Sequence, residues 1–169
     1  MSINRIKSGA VGLGLDYIGQ EAGKHVEFMS DDHIVGAKLA LFLGGALLVI
    51  RRDDDPDIPW PGHLDLPGGG REAGETAEVC VLRETREEVG LRLGVDALVY
   101  RRDYTRPHGT VAFFAAHLPI DAAGQVVFGD EGQGWMLMAA GDFVACDDAV
   151  PHFREQVAAY LSHLSGAGR

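Results

Sequence analysis

A triple-glycine turn that leads into a short helix is the feature that most constrains this chain. The turn spans residues 68–70, and a helix-forming stretch begins a few residues after it. Thr76 is a residue type that caps helix N-termini, and Gly90 stands where a left-handed residue commonly ends a helix. The sequence therefore predicts a helix from about Ala77 to Val89.

Three glutamates crowd the second half of this helix. At about 100° per residue, Glu84, Glu87 and Glu88 fall within roughly 100° of arc on one face. Like charges three and four residues apart repel by about 0.2–0.5 kcal/mol, and the macrodipole opposes carboxylates in the last turn by about 0.3–1 kcal/mol. A solvated acidic face screened by Arg83 and Arg86 is one interpretation. The other is a bound divalent cation, since magnesium prefers oxygen ligands and bridges to substrate phosphates.

The rest of the chain predicts a mixed sheet. Apolar stretches predict strands at Lys38 to Leu43 and Ala46 to Arg51, joined by a two-glycine hairpin turn. Further short strands are predicted at Leu64 to Leu66, Asp96 to Tyr104, Gly109 to Leu118, Gln125 to Phe128 and Trp135 to Met138. A closing helix from Val150 to Leu164 carries one apolar stripe. Because strands and helices do not alternate regularly, a mixed sheet between helices is favoured over a doubly wound fold.

Size, charge and cysteine content limit the classes of function. A chain of 169 residues suits one folded domain, which we place at residues 35–169 after a glycine-rich N-terminal extension, residues 1–34. The net charge of −10 argues against polymeric nucleic acid or an anionic membrane as partner. Two cysteines without paired spacing indicate neither zinc nor a disulfide framework. No targeting or membrane-spanning segment is visible, so we expect a cytoplasmic location.

The glycine and glutamate positions resemble the box that defines the Nudix hydrolases. The matching residues are Gly69, Glu75, Arg83, Glu84, Glu87, Glu88, Gly90 and Leu91. Thr85 stands where an aliphatic residue is usual in the family, and its β-branched side chain packs similarly. The resemblance implies an α/β/α sandwich with a mixed sheet.

The resemblance also implies an enzyme of this family, a magnesium-dependent pyrophosphohydrolase in which Mn²⁺ is an alternative cofactor. Its substrate would be a small nucleoside diphosphate linked to another group, and the first expectation is hydrolysis of nucleoside triphosphates. ADP-ribose or nucleotide-sugar hydrolysis is the alternative enzymatic interpretation. A nucleotide-sensing module without catalysis is the alternative from another class, although the intact glutamate set argues against it. The family also leaves a homodimer open.

Roles are carried over from the family residue by residue. Glu84, Glu87 and Glu88, with the backbone carbonyl of Gly68, would hold the metal ion. Arg83 and Glu75 would form a pair that fixes the turn against the helix. The predicted catalytic residues are Glu84, Glu87, Arg83 and Glu131, and Glu131 shares its acidic turn with Asp130. Either Glu84 or Glu131 would take the proton of the attacking water.

Residues outside the box are expected to bind the rest of the substrate. Trp60 is a candidate for stacking on a base, although aromatic residues at this density are more often part of the core. Arg51 and Arg102 are candidates for contact with a phosphate or a terminal group. Arginines at strand ends also commonly face water, and that alternative stays open here.

Overall fold

The computed structural model of the protein describes residues 31–167. The predicted N-terminal extension, residues 1–34, lies outside this range apart from its last four residues. Within the described range no helix has the length and the apolar character needed to cross a bilayer. A short 3-10 turn, Asp31–His33, leads into the first strand.

Six strands of the described range form one mixed sheet. They are β1 (Ile34–Leu43), β2 (Ala46–Arg51), β3 (Leu64–Asp65), β4 (Leu98–Arg106), β5 (Gly109–Leu118) and β6 (Gly134–Met138). The strand order is β3-β2-β1-β5-β4, and β6 pairs with β2 outside this path. Strands β1 and β5 run parallel to each other, and all other pairs are antiparallel.

Helices cover both faces of the sheet. They are α1 (Ala77–Val89), α2 (Ala140–Ala145) and α3 (Pro151–Ala167). Alternate residues of β1 belong to two separate apolar cores, because successive side chains of a strand point to opposite faces. Leu39 and Leu41 pack in the core that contains Val81 of α1, whereas Phe42 packs in the core that contains Tyr160 of α3. The predicted α/β/α sandwich with a mixed sheet is therefore the observed architecture.

The glycine turn lies between the diverging ends of β1 and β2. These strands pair directly near their hairpin, and beyond that point β2 pairs with β3. The backbone amides of Leu39 and Ala37 donate to the carbonyls of Pro67 and Gly69, over 2.8 and 3.0 Å. The segment 64–70 is thus held by strands on both sides, and this placement brings the turn against α1.

Most predicted elements are confirmed, and the box helix has the predicted bounds. The side chain of Thr76 accepts a hydrogen bond from the amide of Val79, and Gly90 ends α1 with φ +72°. Gly44 and Gly45 form the predicted hairpin turn, and both have positive φ. The predicted strand at Asp96 to Tyr104 begins and ends two residues later, and the closing helix extends to Ala167.

The predicted strand at Gln125 to Phe128 is wrong. Gln125 ends a 3-10 helix, and the residues after it pair with no strand. Their backbone binds the end of α1 instead, because the amides of Val127 and Gly129 donate to the carbonyls of Val89 and Glu88. The segment therefore satisfies carbonyl groups that every helix leaves unpaired at its C-terminus. Helix α2 was not predicted.

Candidate functional site

The residues of the glutamate-rich helix and the glycine turn line one open cavity of about 710 Å³. The cavity also receives two basic side chains and the loop before β6. Its walls are formed by Lys38, Arg52, Gly68, Gly69, Gly70, Glu84, Glu87, Glu88, Asp130 and Glu131. Acidic and basic side chains of the domain therefore border the same cavity.

Glu88 joins the last turn of α1 to the glycine turn. Its Oε2 accepts a hydrogen bond from the amide of Gly68 over 2.7 Å. Burial raises the pKa of Glu88 to about 7, and nearby Asp65 and Glu84 act in the same direction, whereas Lys38 and the Gly68 amide oppose the rise. A partly buried carboxylate beside other carboxylates is stabilised in its charged form by a nearby positive ion.

Close approach of backbone atoms requires glycine at position 68, and Gly69 lies against a side chain of the box helix. Gly68 has φ +128°, and a Cβ there would overlap the carbonyl oxygen of Ala37. A Cβ on Gly69 would lie 2.6 Å from the carboxyl group of Glu84. The turn thus brings its backbone against β1 at Gly68, where no larger residue fits, and against the Glu84 side chain at Gly69.

Arg83 contacts the other three glutamates of the box. Its Nε and Nη2 donate to the two carboxylate oxygens of Glu75 over 2.7 and 3.1 Å. Its Nη1 donates to Glu84 over 2.8 Å and to Glu87 over 3.0 Å, and Nη2 also donates to the carbonyl of Gly70. The hydrogen bond from Arg83 lowers the pKa of Glu75. Arg83 and Glu75 thus form an ion pair between α1 and the segment after the glycine turn.

The donor set fits a hard divalent cation. The box glutamates and the residues of the glycine turn border the same cavity. Carboxylate and carbonyl oxygens are ligands of the kind that Mg²⁺ and Mn²⁺ take. Within residues 31–167 no three acidic, histidine or cysteine side chains converge as a ready-made metal cluster. Arg83 draws Glu84 and Glu87 to itself, and the side chain of Glu87 is 59% exposed. Glu87 therefore has room to turn toward a cation.

Lys38 and Arg52 form the basic wall of the cavity, and both bind the buried carboxylate of Asp65. Oδ2 of Asp65 accepts from Lys38 Nζ over 3.0 Å and from Arg52 Nη1 over 2.7 Å. Two unit charges roughly 5 Å apart repel by about 3 kcal/mol at an effective dielectric constant of about 20. Asp65 offsets this repulsion and keeps two cations at one place.

Comparison with known proteins identifies the family. The family model of the NUDIX domain matches residues 33–160 of this chain. The chain belongs to the Nudix family. The predicted family is therefore confirmed, and the residues around the cavity include the Nudix box.

Curated relatives match this Nudix chain over part of their length. An ADP-ribose pyrophosphatase of Methanocaldococcus jannaschii is 36% identical over 89 residues, which cover 52% of this chain and 50% of that protein. The nucleoside triphosphatase NudI of Enterobacter sp. (strain 638) is 44% identical over 54 residues, which cover 32% of this chain and 38% of that protein. The chain thus spans half or less of the length of these relatives.

Solved structures share the fold over nearly their whole length. A MutT protein from Methanosarcina mazei Go1 matches with a TM-score of 0.62 and 19% identity, over 77% of this chain and 94% of that chain. An Ap4A hydrolase of C. elegans matches with a TM-score of 0.62 and 19% identity, over 78% of this chain and 98% of that chain. At this identity the likeness shows the fold alone, and the predicted Nudix-type α/β/α sandwich is confirmed.

A second cavity adjoins the Nudix box. It has a volume of about 350 Å³ and shares Arg52, Glu88 and Glu131 with the larger one. Ile50, Ile58 and Leu66 give it an apolar side. The two cavities together offer a charged part beside an apolar part, which suits a ligand that joins phosphates to an apolar ring.

The structure brings some predicted residues to these cavities and places others elsewhere. Glu131 and Asp130 line the larger cavity. Arg51 instead donates to the carbonyl of Gly62 over 2.6 Å and holds the loop after β2. Trp60 lies on that loop, 41% exposed, with its ring against His63 and His152. Neither residue lines the two cavities described here.

Arg102 also lies away from the Nudix box. It is an exposed residue of β4, the strand at the end of the sheet order, and its guanidinium group lies 5.2 Å from the ring of Tyr104. Helix α1 and the glycine turn border β1, and β5 separates β1 from β4. The sheet therefore holds Arg102 apart from the cavity.

Lys38, Arg52 and Asp65 are site residues that the sequence prediction missed. A signal for Arg52 was available, because successive side chains of a strand point to opposite faces. Ile50 of β2 packs in the core that contains α1, whereas Val49 packs in the opposite core. If the alternation continues past the end of β2, Arg52 falls on the side of Ile50 and Arg51 on the other side. No comparable sequence signal marks Asp65, which is placed by the pairing of β3 with β2.

Proposed function

We propose that this Nudix domain hydrolyses a diphosphate bond in a nucleoside diphosphate linked to another group, with Mg²⁺ as its cofactor and Mn²⁺ as a substitute. The observation that carries the proposal is the single cavity in which the box glutamates and glycine turn face Lys38 and Arg52. This cavity combines oxygen ligands for a cation with hydrogen-bond donors for a phosphate. An acidic protein needs both in order to bind a negatively charged phosphate substrate.

Glu84, Glu87, Glu88 and the carbonyl of Gly68 would hold the cation. When bound, the cation neutralises charge on the phosphate oxygens and increases the acidity of the attacking water. Lys38 and Arg52 bind the phosphate group in the same cavity, where fixed donors stabilise charge as it develops. A carboxylate of Glu84 or Glu131 accepts the proton of the attacking water, since a general base must border the reacting atoms.

Arg83 and Glu75 act in this scheme as positioning residues. Arg83 donates hydrogen bonds to Glu75, Glu84, Glu87 and the carbonyl of Gly70. Its contacts hold the helix and the turn at a fixed separation. In this scheme Arg83, which was predicted as a catalytic residue, contributes to the reaction by orienting the glutamates.

Nucleoside triphosphates are the first substrate class to test, and ADP-ribose or a nucleotide sugar is the second. The apolar side of the smaller cavity supports both, because each substrate carries a nucleoside next to a diphosphate. The name of the Enterobacter relative favours the first class, and the name of the Methanocaldococcus relative favours the second. The longer alignment belongs to the ADP-ribose pyrophosphatase, so both classes belong in one assay.

The test is a panel of nucleoside triphosphates, ADP-ribose, NADH and dinucleoside polyphosphates, each with Mg²⁺ or Mn²⁺, analysed for phosphate-containing products. We expect release of a nucleoside monophosphate from at least one substrate and no release in EDTA. Glu78→Gln is the matched control for the box glutamates, because Glu78 lies on the same helix and pairs with Arg101 outside the cavity. Nucleotide binding without products would favour the sensing module instead.

A further inference from the structure

Asp65 is a buried carboxylate whose two oxygens are both occupied. Only 3% of the residue is exposed. Oδ2 accepts from Lys38 over 3.0 Å and from Arg52 over 2.7 Å, while Oδ1 accepts from the amide of Leu66 over 2.6 Å. Burial of a carboxylate costs free energy, and hydrogen bonds from charged partners offset that cost.

The three charged residues come from three different segments of the sheet region. Lys38 belongs to β1, Arg52 directly follows β2, and Asp65 ends β3. The strand register pairs Ile50 with Asp65, and this pairing places the carboxylate beside the end of β2. Asp65 thus stands where the side chains of two neighbouring strands reach one oxygen atom.

The backbone completes this arrangement. Lys38 Nζ also donates to the carbonyl of Leu66 over 3.0 Å, and Arg52 Nε donates to the carbonyl of Pro59 over 3.0 Å. Arg52 has five N–H bonds, of which two have acceptors in the described range. Both side chains are therefore fixed on the protein side while Arg52 retains donors for a ligand.

We infer that Asp65 is a positioning residue that holds Lys38 and Arg52 together as a binding pair for the diphosphate group of the substrate. The inference rests on the proposed function, and it names the residue that orients the basic wall of the same cavity. Without the carboxylate, two neighbouring cations repel each other, and two long side chains lose the contact that restricts their rotamers. The pair then no longer faces the glutamates in one geometry.

The experiment is a double-mutant cycle on the affinity for inorganic pyrophosphate, measured by calorimetry in the presence of Mg²⁺. We expect Asp65→Asn to weaken binding about tenfold in the wild-type background and less than about twofold in an Arg52→Met background, because interacting residues are not additive. Asp65→Glu restores most of the affinity, since it keeps the charge. An equal effect of Asp65→Asn in both backgrounds, or tighter binding by the single variant, would overturn the inference.

Asp103→Asn is the control, because Asp103 pairs with Arg101 on β4 away from the cavity. Circular dichroism establishes that each variant is folded. If Asp65→Asn does not fold, a cycle of Lys38→Met with Arg52→Met carries the test, and purely additive losses contradict a coupled pair. Failure of the proposed function gives a different result from failure of this inference. In that case the wild-type protein binds pyrophosphate but hydrolyses no substrate of the panel. A wild-type protein that does not bind pyrophosphate contradicts the inference itself.

Discussion

The backbone amide of Gly68 donates a hydrogen bond to Oε2 of Glu88 over 2.7 Å, and this contact joins the glycine turn to the last turn of α1. The turn is held from its other side by β1, through the bond from the Ala37 amide to the carbonyl of Gly69. Two parts of the Nudix box that are about 20 residues apart in sequence therefore form one wall of the cavity. The geometry of the site depends on this wall.

Glu87→Gln should abolish most of the activity without unfolding the protein. The side chain of Glu87 is 59% exposed, so its replacement removes a ligand charge with little loss of packing. Loss of several kcal/mol of charge stabilisation corresponds to about a 100-fold to 1,000-fold lower kcat. Steady-state kinetics on the best substrate of the panel, with thermal unfolding beside it, measures both effects. Full activity at saturating Mg²⁺ would contradict the role given to Glu87.

Gly68→Ala should be much more damaging to stability than Gly70→Ala. Gly68 has positive φ, and a Cβ there would overlap the Ala37 carbonyl, whereas a Cβ on Gly70 meets nothing within 4 Å. Strain at such a φ costs about 1–3 kcal/mol, and the overlap adds to it. Urea unfolding of the two variants provides the comparison. Equal free energies of unfolding would show that the turn is less constrained than described.

Glu75→Gln should lower stability at neutral pH and have less effect in acid. The hydrogen bond from Arg83 holds the pKa of Glu75 below its ordinary value of 4.5. A carboxyl group with a lowered pKa in the folded state stabilises the protein above its unfolded pKa, and this contribution is lost as the pH falls through the folded pKa. The difference in unfolding free energy between wild type and variant should therefore shrink from pH 7 toward pH 3. A constant difference over this range would argue against the ion pair.

Gln156→Met should stabilise the protein. Gln156 is 1% exposed, and neither its Nε2 nor its Oε1 has a hydrogen-bond partner within the described structure. A buried polar group without a partner costs about 1–3 kcal/mol, and methionine fills a similar unbranched space. A higher melting temperature for Gln156→Met than for wild type is the expected result. A lower one would contradict the assignment of an unsatisfied amide at this position.

Local signals explain why the box helix was predictable. Thr76 and Gly90 mark the two ends of α1 through their own capping preferences. The spacing of the glutamates is likewise visible without tertiary information. The segment after Gln125 was mispredicted because its apolar residues resemble a strand, although Phe128 packs against the core from a loop. Its backbone amides bind the end of α1, which is a contact between distant parts of the chain. Sequence periodicity does not reveal such contacts.

The meeting of Lys38 and Arg52 in one basic wall was not predictable for a related reason. Lys38 and Arg52 lie in a strand and just beyond one, and arginine and lysine in such positions commonly face water. Their meeting at Asp65 depends on the insertion of segment 64–70 between β1 and β2. The domain boundary at residue 34, the cytoplasmic location and the homodimer stay predictions.

The most direct test of the central claim is a crystal structure of the protein with Mn²⁺, in which an anomalous difference map reveals the ion. We predict a peak in the large cavity within coordination distance of box carboxylates from Glu84, Glu87 and Glu88 and of the carbonyl of Gly68, with Glu87 turned away from Arg83. Absence of any peak there at saturating Mn²⁺, with Glu84 and Glu87 still paired with Arg83, would contradict the account.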